Sequence, residues 1–243
     1  MAFAPFHSSR DILANAALFL DFDGTLVDIA KTPDAVVLPP DLPGQLVALS
    51  WALDGALAII TGRSLESLDA ALGALRLPAA AEHGALLRPR PDELPHRMPT
   101  PAVPAAWRHA AQALAATEPG VLVEQKPAGF VVHFRQAEAA GPQLRAALDD
   151  LLRDAPDFAV MPAQMAWEVK ARSVDKGGAL RALMQEAPFQ GRRPVFIGDD
   201  HTDEDGMAAA RALGGAGLRV QDHFSDAAGV RAWLADLLEV ARA

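Results

Sequence analysis

Cysteine is absent from the 243 residues, which excludes disulfides, thiolate metal sites and a sulfur nucleophile and leaves covalent chemistry to oxygen or nitrogen. Tyrosine is absent too. No apolar run approaches the ~18–20 residues of a membrane-spanning helix. Positive charge is scarce: 22 Lys and Arg against 31 Asp and Glu leave a net charge of −9, which offers no global attraction to nucleic acid or to an acidic membrane. The opening MAFAPFHSSR lacks the basic start and apolar run of a secretory signal. Together these absences predict a cytoplasmic protein with a small soluble substrate, and an anionic substrate would need a local cation to hold it. What is present is ordinary for a globular enzyme, with 51% hydrophobic and 22% charged residues. The length suits one large α/β domain, or a medium core carrying a smaller insert.

Three apolar runs, Ala16 to Leu20, Ala56 to Ile60 and Pro194 to Ile197, are too short for helices and predict strands buried on both faces. Polar turns follow each one: DFDGT, TGRS and GDDHTDED. Helical stretches come next, over Ser64 to Leu75 and Thr202 to Leu213. Two weaker strands are expected at Ala79 to Ala81 and Gly217 to Val220, with a helix from about Asp226 to Leu238. Strand, polar turn and helix in this order describe a doubly wound parallel sheet, whose ligands gather beyond the carboxyl ends of the strands. Between Leu87 and Arg172 the texture changes, starting with the proline-rich RPRPDELPHRMPTPAVP, which cannot be continuous helix. Helices over Ala105 to Thr117 and Ala137 to Arg153, and strands at Val121 to Lys126, Phe130 to Arg135, Phe158 to Met161 and Met165 to Lys170, predict an α+β insert with an antiparallel sheet. The expected domains are therefore a core of residues 1–87 and 173–243 and an insert of residues 88–172.

Asp21 and Asp23 flank Phe22 at the first strand end, where a continuing strand would send both carboxylates to one side. A calcium loop of EF-hand type is excluded, because Gly24 comes too early. An Asx-turn ending the strand is the plain structural alternative. Asp199 and Asp200 follow Gly198 at the third strand end, and acidic groups beside Asp21 would form a hard oxygen site suited to magnesium. Asp203, Glu204 and Asp205 also suit the first turn of a helix, where acids cap free N–H groups. Thr61, Gly62 and Arg63 offer a hydroxyl and backbone N–H groups for phosphate, and Lys176 a point charge. Each of these signals is weak alone.

Taken together and in order, DFDGTL, TGRS, DKGGAL and GDDHTDED resemble the four motifs of the haloacid-dehalogenase-like (HAD) phosphatases, from residue 16 to 220. The resemblance implies a Rossmann-like HAD core with an α+β cap inserted between the second and third motifs. Further segments resemble the trehalose-6-phosphate phosphatase family within that superfamily: DFDGTLVDIAKTPDAVVL with its trailing Pro33, EHGA from Glu82, EQK from Glu124, HFR from His133 and WEVKARSVDKG from Trp167. Phe134 stands where tyrosine is common and Ala171 where proline is common.

What the resemblance implies is magnesium-dependent hydrolysis of trehalose 6-phosphate in trehalose biosynthesis, with functional coupling to its synthase. Asp21 would be the nucleophile and Asp23 the general acid and base, with Thr61 and Lys176 holding the phosphoryl oxygens. Asp21, the Asp23 carbonyl and Asp199 would hold Mg²⁺, oriented from behind by Asp200 and Asp203. Gly62, Arg63, Glu82 and His83 in the core, and Lys126, His133, Arg135 and Glu168 in the cap, would contact substrate, with core histidines the alternative for His83 and His133. The cap residues have an alternative as exposed charges of a strand pair, with Glu168 their ion-pair partner. Other sugar phosphates, a phosphomutase, or a non-catalytic sugar-phosphate-binding regulatory domain are the competing functions. The intact Asp21, Asp23, Thr61, Lys176 and Asp199 argue against the last.

Overall fold

The computed structural model describes residues 4–30, 35–126, 129–163 and 165–243. The chain forms two compact units, Met1–Met98 with Asp175–Ala243, and Pro99–Val174. Along the chain run α1 (Ser9–Asn15), β1 (Ala16–Leu20), α2 (Leu42–Ala52), β2 (Leu57–Ile60), α3 (Leu65–Leu72), β3 (Ala79–Ala81), β4 (Leu86–Arg88) and β5 (His96–Arg97). The second unit contributes α4 (Ala105–Thr117), β6 (Leu122–Lys126), β7 (Gly129–His133), α5 (Gly141–Leu151), β8 (Phe158–Ala163) and β9 (Ala166–Ala171). The first unit resumes with α6 (Lys176–Leu183), β10 (Arg193–Gly198), α7 (Glu204–Ala212), β11 (Ala216–Arg219), α8 (Val220–His223) and α9 (Ala227–Arg242).

Among the described residues, the first unit's sheet has the order β11-β10-β1-β2-β3-β4-β5. The five strands from β11 to β3 are parallel and the last two antiparallel. Every residue of β1, β2 and β3 is buried, as a sheet covered on both faces requires. The chain winds outward from β1 through β2 to β3, then returns through β10 to β11 on the other side. That reversal opens a crevice beyond the carboxyl ends of β1 and β10. Helix starts are pinned by caps worth ~1 kcal/mol each. The Ser64 hydroxyl accepts the Ser67 N–H, and the Asp175 and Asp226 carboxylates accept those of Gly178 and Gly229.

Several expected element bounds shift, among them the helix over Ala137 to Arg153, which starts at Gly141. The helix expected from Thr202 begins at Glu204, after a 3-10 turn over His201–Asp203. The strand expected to reach Val220 stops at Arg219, because Val220 opens α8. A larger shift concerns where the insert starts. The proline-rich composition places it at residue 88, yet the first unit runs to Met98. The reason is Arg88, whose guanidinium is buried and donates to both carboxylate oxygens of Asp69 at 2.7 and 2.8 Å and to the Leu77 carbonyl at 3.1 Å. Anchored there, β4 and β5 extend the core sheet as a hairpin.

In the second unit the sheet order is β6-β7-β9-β8, antiparallel throughout. One face packs on the helices: Trp107 meets Phe158 edge-on at 4.9 Å, and the Trp167 indole N–H donates to the Gly141 carbonyl at 2.8 Å. Phe134 lies against Trp167 on this side, ring centres 5.8 Å apart. By register, Glu124, Lys126, Val131, His133, Glu168 and Lys170 share the opposite face.

Candidate active site

Asp21 leaves the end of β1, where its N–H donates to the Ile197 carbonyl of β10 at 2.9 Å, across the crevice. The strand does not continue through the acidic pair. Instead the chain folds back: the N–H groups of Leu26 and Val27 donate to the Phe22 carbonyl, and that of Gly24 to Val27. Phe22 and Leu26 are fully buried and anchor the turn. Asp21 and Asp23 therefore line one cavity by a tight loop rather than by strand periodicity. Gly24 has φ +81°, and a Cβ built on it would sit 2.2 Å from Asp199 Oδ2, so only glycine suits the position.

The cavity, of about 470 Å³, is lined by Asp21, Asp23, Thr61, Gly62, Arg63, His83, Lys176 and Asp200, with the hydroxyls of Ser64, Ser67 and Thr202. The buried Lys176 ammonium donates to Asp21 Oδ1 at 2.7 Å and to Asp203 Oδ1 at 2.6 Å. The other Asp203 oxygen accepts the N–H groups of Asp199 and Asp200, while Asp200 caps the turn by accepting from Thr202 and Asp203. Asp203 thus both opens the helical turn and pairs with Lys176. Glu204 pairs with Arg219.

Charge crowding is written into the pKa values. Burial and the neighbouring Asp203 push Asp21 up to about 7 against the pull of Lys176. Burial, Asp203 and Asp200 push Asp199 up to about 6. Burial opposes the Lys176 charge, but Asp21 and Asp203 overcome it and hold the ammonium above its ordinary range. Asp200 is lowered despite burial, by the Thr202 hydroxyl. Asp21, Asp199 and Asp203 each place a carboxylate oxygen within 4.8 Å of the others. One ammonium cannot neutralise three such groups, and an all-oxygen donor set suits a hard divalent cation such as magnesium. Because the oxygens of Asp203 are already engaged, Asp21 and Asp199 are the carboxylates that fit as ligands.

Two residues expected at the substrate have ion-pair partners within the chain. Arg63 lines the cavity but directs its fork at Asp23, with Nε to Oδ2 at 2.6 Å and Nη2 to Oδ1 at 2.7 Å. Glu82 is not among the cavity residues and pairs with Arg97 of β5 at 3.0 Å. The turn it begins is left-handed over three residues, with φ of +52° at Glu82, +56° at His83 and +99° at Gly84. That turn persists because the Glu82 N–H donates to the Arg63 carbonyl and the His83 N–H to that of Thr61. The His83 ring covers Gly62, where a Cβ would lie 2.5 Å from Cε1. Pro33 lies outside the described residues. Ser64, Ser67 and Thr202 were missed as cavity residues, although Ser67 stands one helical turn from Arg63, a spacing readable in TGRSLES.

In the second unit, considered by itself, the open sheet face gathers Lys126, His133 and Glu168. Lys126 Nζ pairs with Glu168 Oε1 at 3.0 Å, and His133 Nε2 lies 2.9 Å from Glu124 Oε2. Arg135 is exposed in the turn after β7. Glu124 and Lys170 join this face without having been singled out. The signal for Glu124 was its place two residues before Lys126 on the same strand.

The family model described as "Trehalose-phosphatase" matches residues 19–229. A curated protein from Sinorhizobium fredii named "Probable trehalose-phosphate phosphatase" is 40% identical over 209 residues, covering 86% of this chain and 78% of its own. The "Trehalose-6-phosphate phosphatase" of Escherichia coli is 38% identical over 217 residues, covering 89% and 81%. Among solved structures, the trehalose-6-phosphate phosphatase of Aspergillus fumigatus in crystal form 2 matches with a TM-score of 0.74 at 22% identity, covering 96% of this chain and 98% of that one, a likeness of fold.

Proposed function

The chain belongs to the trehalose-phosphatase family and hydrolyses trehalose 6-phosphate to trehalose and phosphate, and we propose that it does so through a covalent aspartyl-phosphate on Asp21. One observation carries the mechanism: Asp21 is buried at the end of β1 with Lys176 2.7 Å away, Asp199 beside it and Asp23 on the same cavity. Asp21, the Asp23 backbone carbonyl and Asp199 would hold the divalent cation, read here as magnesium. When bound, it supplies positive charge to a phosphoryl group that an anionic nucleophile must approach.

The Asp21 carboxylate attacks phosphorus in line, forming a P–O bond as the bond to the sugar's C6 oxygen breaks. Asp23 gives that departing oxygen its proton. The same carboxylate then takes a proton from water, which attacks phosphorus, releases inorganic phosphate and restores Asp21. Lys176 orients Asp21 and, with Thr61, meets the phosphoryl oxygens, where fixed donors do most in a site that excludes water. Asp203 and Asp200 keep Lys176 and Asp199 in place. Gly62 and His83 shape the cavity floor, and Glu82, tied to Arg97, acts by fixing the turn that carries His83. Lys126, His133, Arg135 and Glu168 offer the donors and acceptors that a hydroxyl-rich disaccharide requires. The reading includes a cytoplasmic enzyme coupled to the synthase that makes its substrate. No helix among the described residues is long and apolar enough to cross a membrane.

Phosphate release from a panel of sugar phosphates, with magnesium and with excess chelator, tests this reading. Trehalose 6-phosphate should be the best substrate, chelator should abolish release, and Asp21→Asn should be inactive and fail to trap a beryllium fluoride phosphoenzyme mimic. Full activity of Asp21→Asn, or in chelator, would remove the mechanism.

A further inference from the structure

Resting on the assignment of Asp23 as the group that protonates the leaving oxygen, we infer that Arg63 is a positioning residue whose two-pronged ion pair sets the direction in which Asp23 presents its carboxylate to the cavity. The two partners are unequal. The Arg63 side chain is 7% exposed and that of Asp23 37%, so the cation is the fixed member and the acid the one being held. Four further contacts explain why Arg63 can act as an anchor. Its guanidinium lies 5.1 Å from the centre of the buried Phe22 ring, and Nη1 donates to Ser67 Oγ of α3 at 3.3 Å. Its backbone is fastened at both ends, the N–H to Thr61 Oγ1 at 3.2 Å and the carbonyl to the Glu82 N–H at 2.8 Å.

Asp23, by contrast, sits in a loop held by backbone bonds between Phe22, Gly24, Leu26 and Val27, and among the described residues the side-chain bonds to its carboxylate come from Arg63. A fork contacting both oxygens fixes the plane of a carboxylate as well as its place, which a single lysine ammonium does not. A carboxylate offers about four acceptor directions, and the fork occupies two, leaving others toward the cavity. Such orientation matters twice in the reaction, because the same group must meet first, as the protonated acid, the departing oxygen and then, as the carboxylate it leaves behind, the incoming water.

The test separates orientation of the acid from binding and from folding. Values of kcat/KM, which report the steps through leaving-group departure, are measured for aryl phosphates of graded leaving-group acidity and for trehalose 6-phosphate. The enzymes are native, Arg63→Gln, Arg63→Lys and Asp23→Asn. A nitrophenolate departs without a proton, whereas the sugar alkoxide needs one, and general acid catalysis is worth on the order of 10²-fold or more. Arg63→Gln should therefore lose at least about tenfold more on trehalose 6-phosphate than on the nitrophenyl ester, giving a steeper dependence on leaving-group acidity, with KM little changed. Arg63→Lys keeps the charge without the fork and should restore only part of the loss. A steep dependence in Asp23→Asn beside a native one in Arg63→Gln overturns the inference alone. A native dependence in Asp23→Asn overturns the assignment of Asp23 and the inference with it. A parallel rise of KM on every ester would make Arg63 a phosphate contact, and a uniform loss with a lowered Tm a fold contact; either overturns the proposal.

Discussion

Replacing Lys176 with methionine keeps the length and apolar stem of the side chain and removes the ammonium 2.7 Å from Asp21 and 2.6 Å from Asp203. Both acids are buried, Asp21 4% and Asp203 0% exposed, so water can replace little of the lost charge. Breaking a buried ion pair from one side costs about 3–5 kcal/mol, because the partner is stranded, and two partners are stranded here. For a chain of this size that corresponds to a Tm lower by roughly 6–20 °C. Urea unfolding at pH 7.5 in chelator would be followed for native protein, Lys176→Met, Asp203→Asn and the double variant. The double variant should lose less than the sum of the singles, by an interaction of roughly 0.5–3 kcal/mol, since neutralising Asp203 removes part of what Lys176 was compensating. The Lys176→Met deficit should also shrink toward pH 5, where a carboxylate without its ammonium takes up a proton. A loss below about 1 kcal/mol, or strict additivity, would refute the reasoning that this cation is what makes the acidic cluster tolerable.

Asp199, raised to about 6, keeps its proton in the native protein over a range where the unfolded chain has released it. Its contribution is therefore fully present below pH ~3.8 and is lost as pH rises through 6. In chelator, native protein should lose stability relative to Asp199→Asn between pH 4.5 and 7, read from urea midpoints, and an opposite slope would contradict the charge crowding. Gly24→Ala meets both a left-handed backbone and the Asp199 carboxylate, so it should cost more than about 1 kcal/mol and weaken magnesium binding measured by calorimetry. Native-like values for both would show that the loop yields. Glu168→Ala and Arg135→Ala should each lose about 1–3 kcal/mol of transition-state binding on trehalose 6-phosphate and much less on p-nitrophenyl phosphate. Equal losses on the two substrates would deny these residues a role in recognising the disaccharide.

What the sequence determined by itself is whatever depends on neighbours along the chain. The runs Ala16 to Leu20 and Ala79 to Ala81 become strands with those bounds, because apolar stretches too short for a helix are readily buried inside a sheet covered on both faces. The polar turns that follow them then meet, since every parallel strand points its carboxyl end the same way. Asp21, Asp23, Thr61 and Asp200 therefore line one cavity, which Lys176 at the start of α6 also reaches. Tertiary structure alone decided which charge faces which. Arg63 reaches Asp23 across 40 positions of sequence, Glu82 reaches Arg97 across 15, and Arg88 is buried on Asp69 across 19. No local propensity encodes such pairs, because a long flexible side chain takes the partner that packing presents and burial strengthens. The same holds for the left-handed turn at Glu82 and His83, which backbone bonds to Thr61 and Arg63 impose on residues that do not favour it. Composition read Arg88 as the start of a polar insert; the core claimed it because a guanidinium whose donors are met by Asp69 and the Leu77 carbonyl can be buried, and only the fold could supply them.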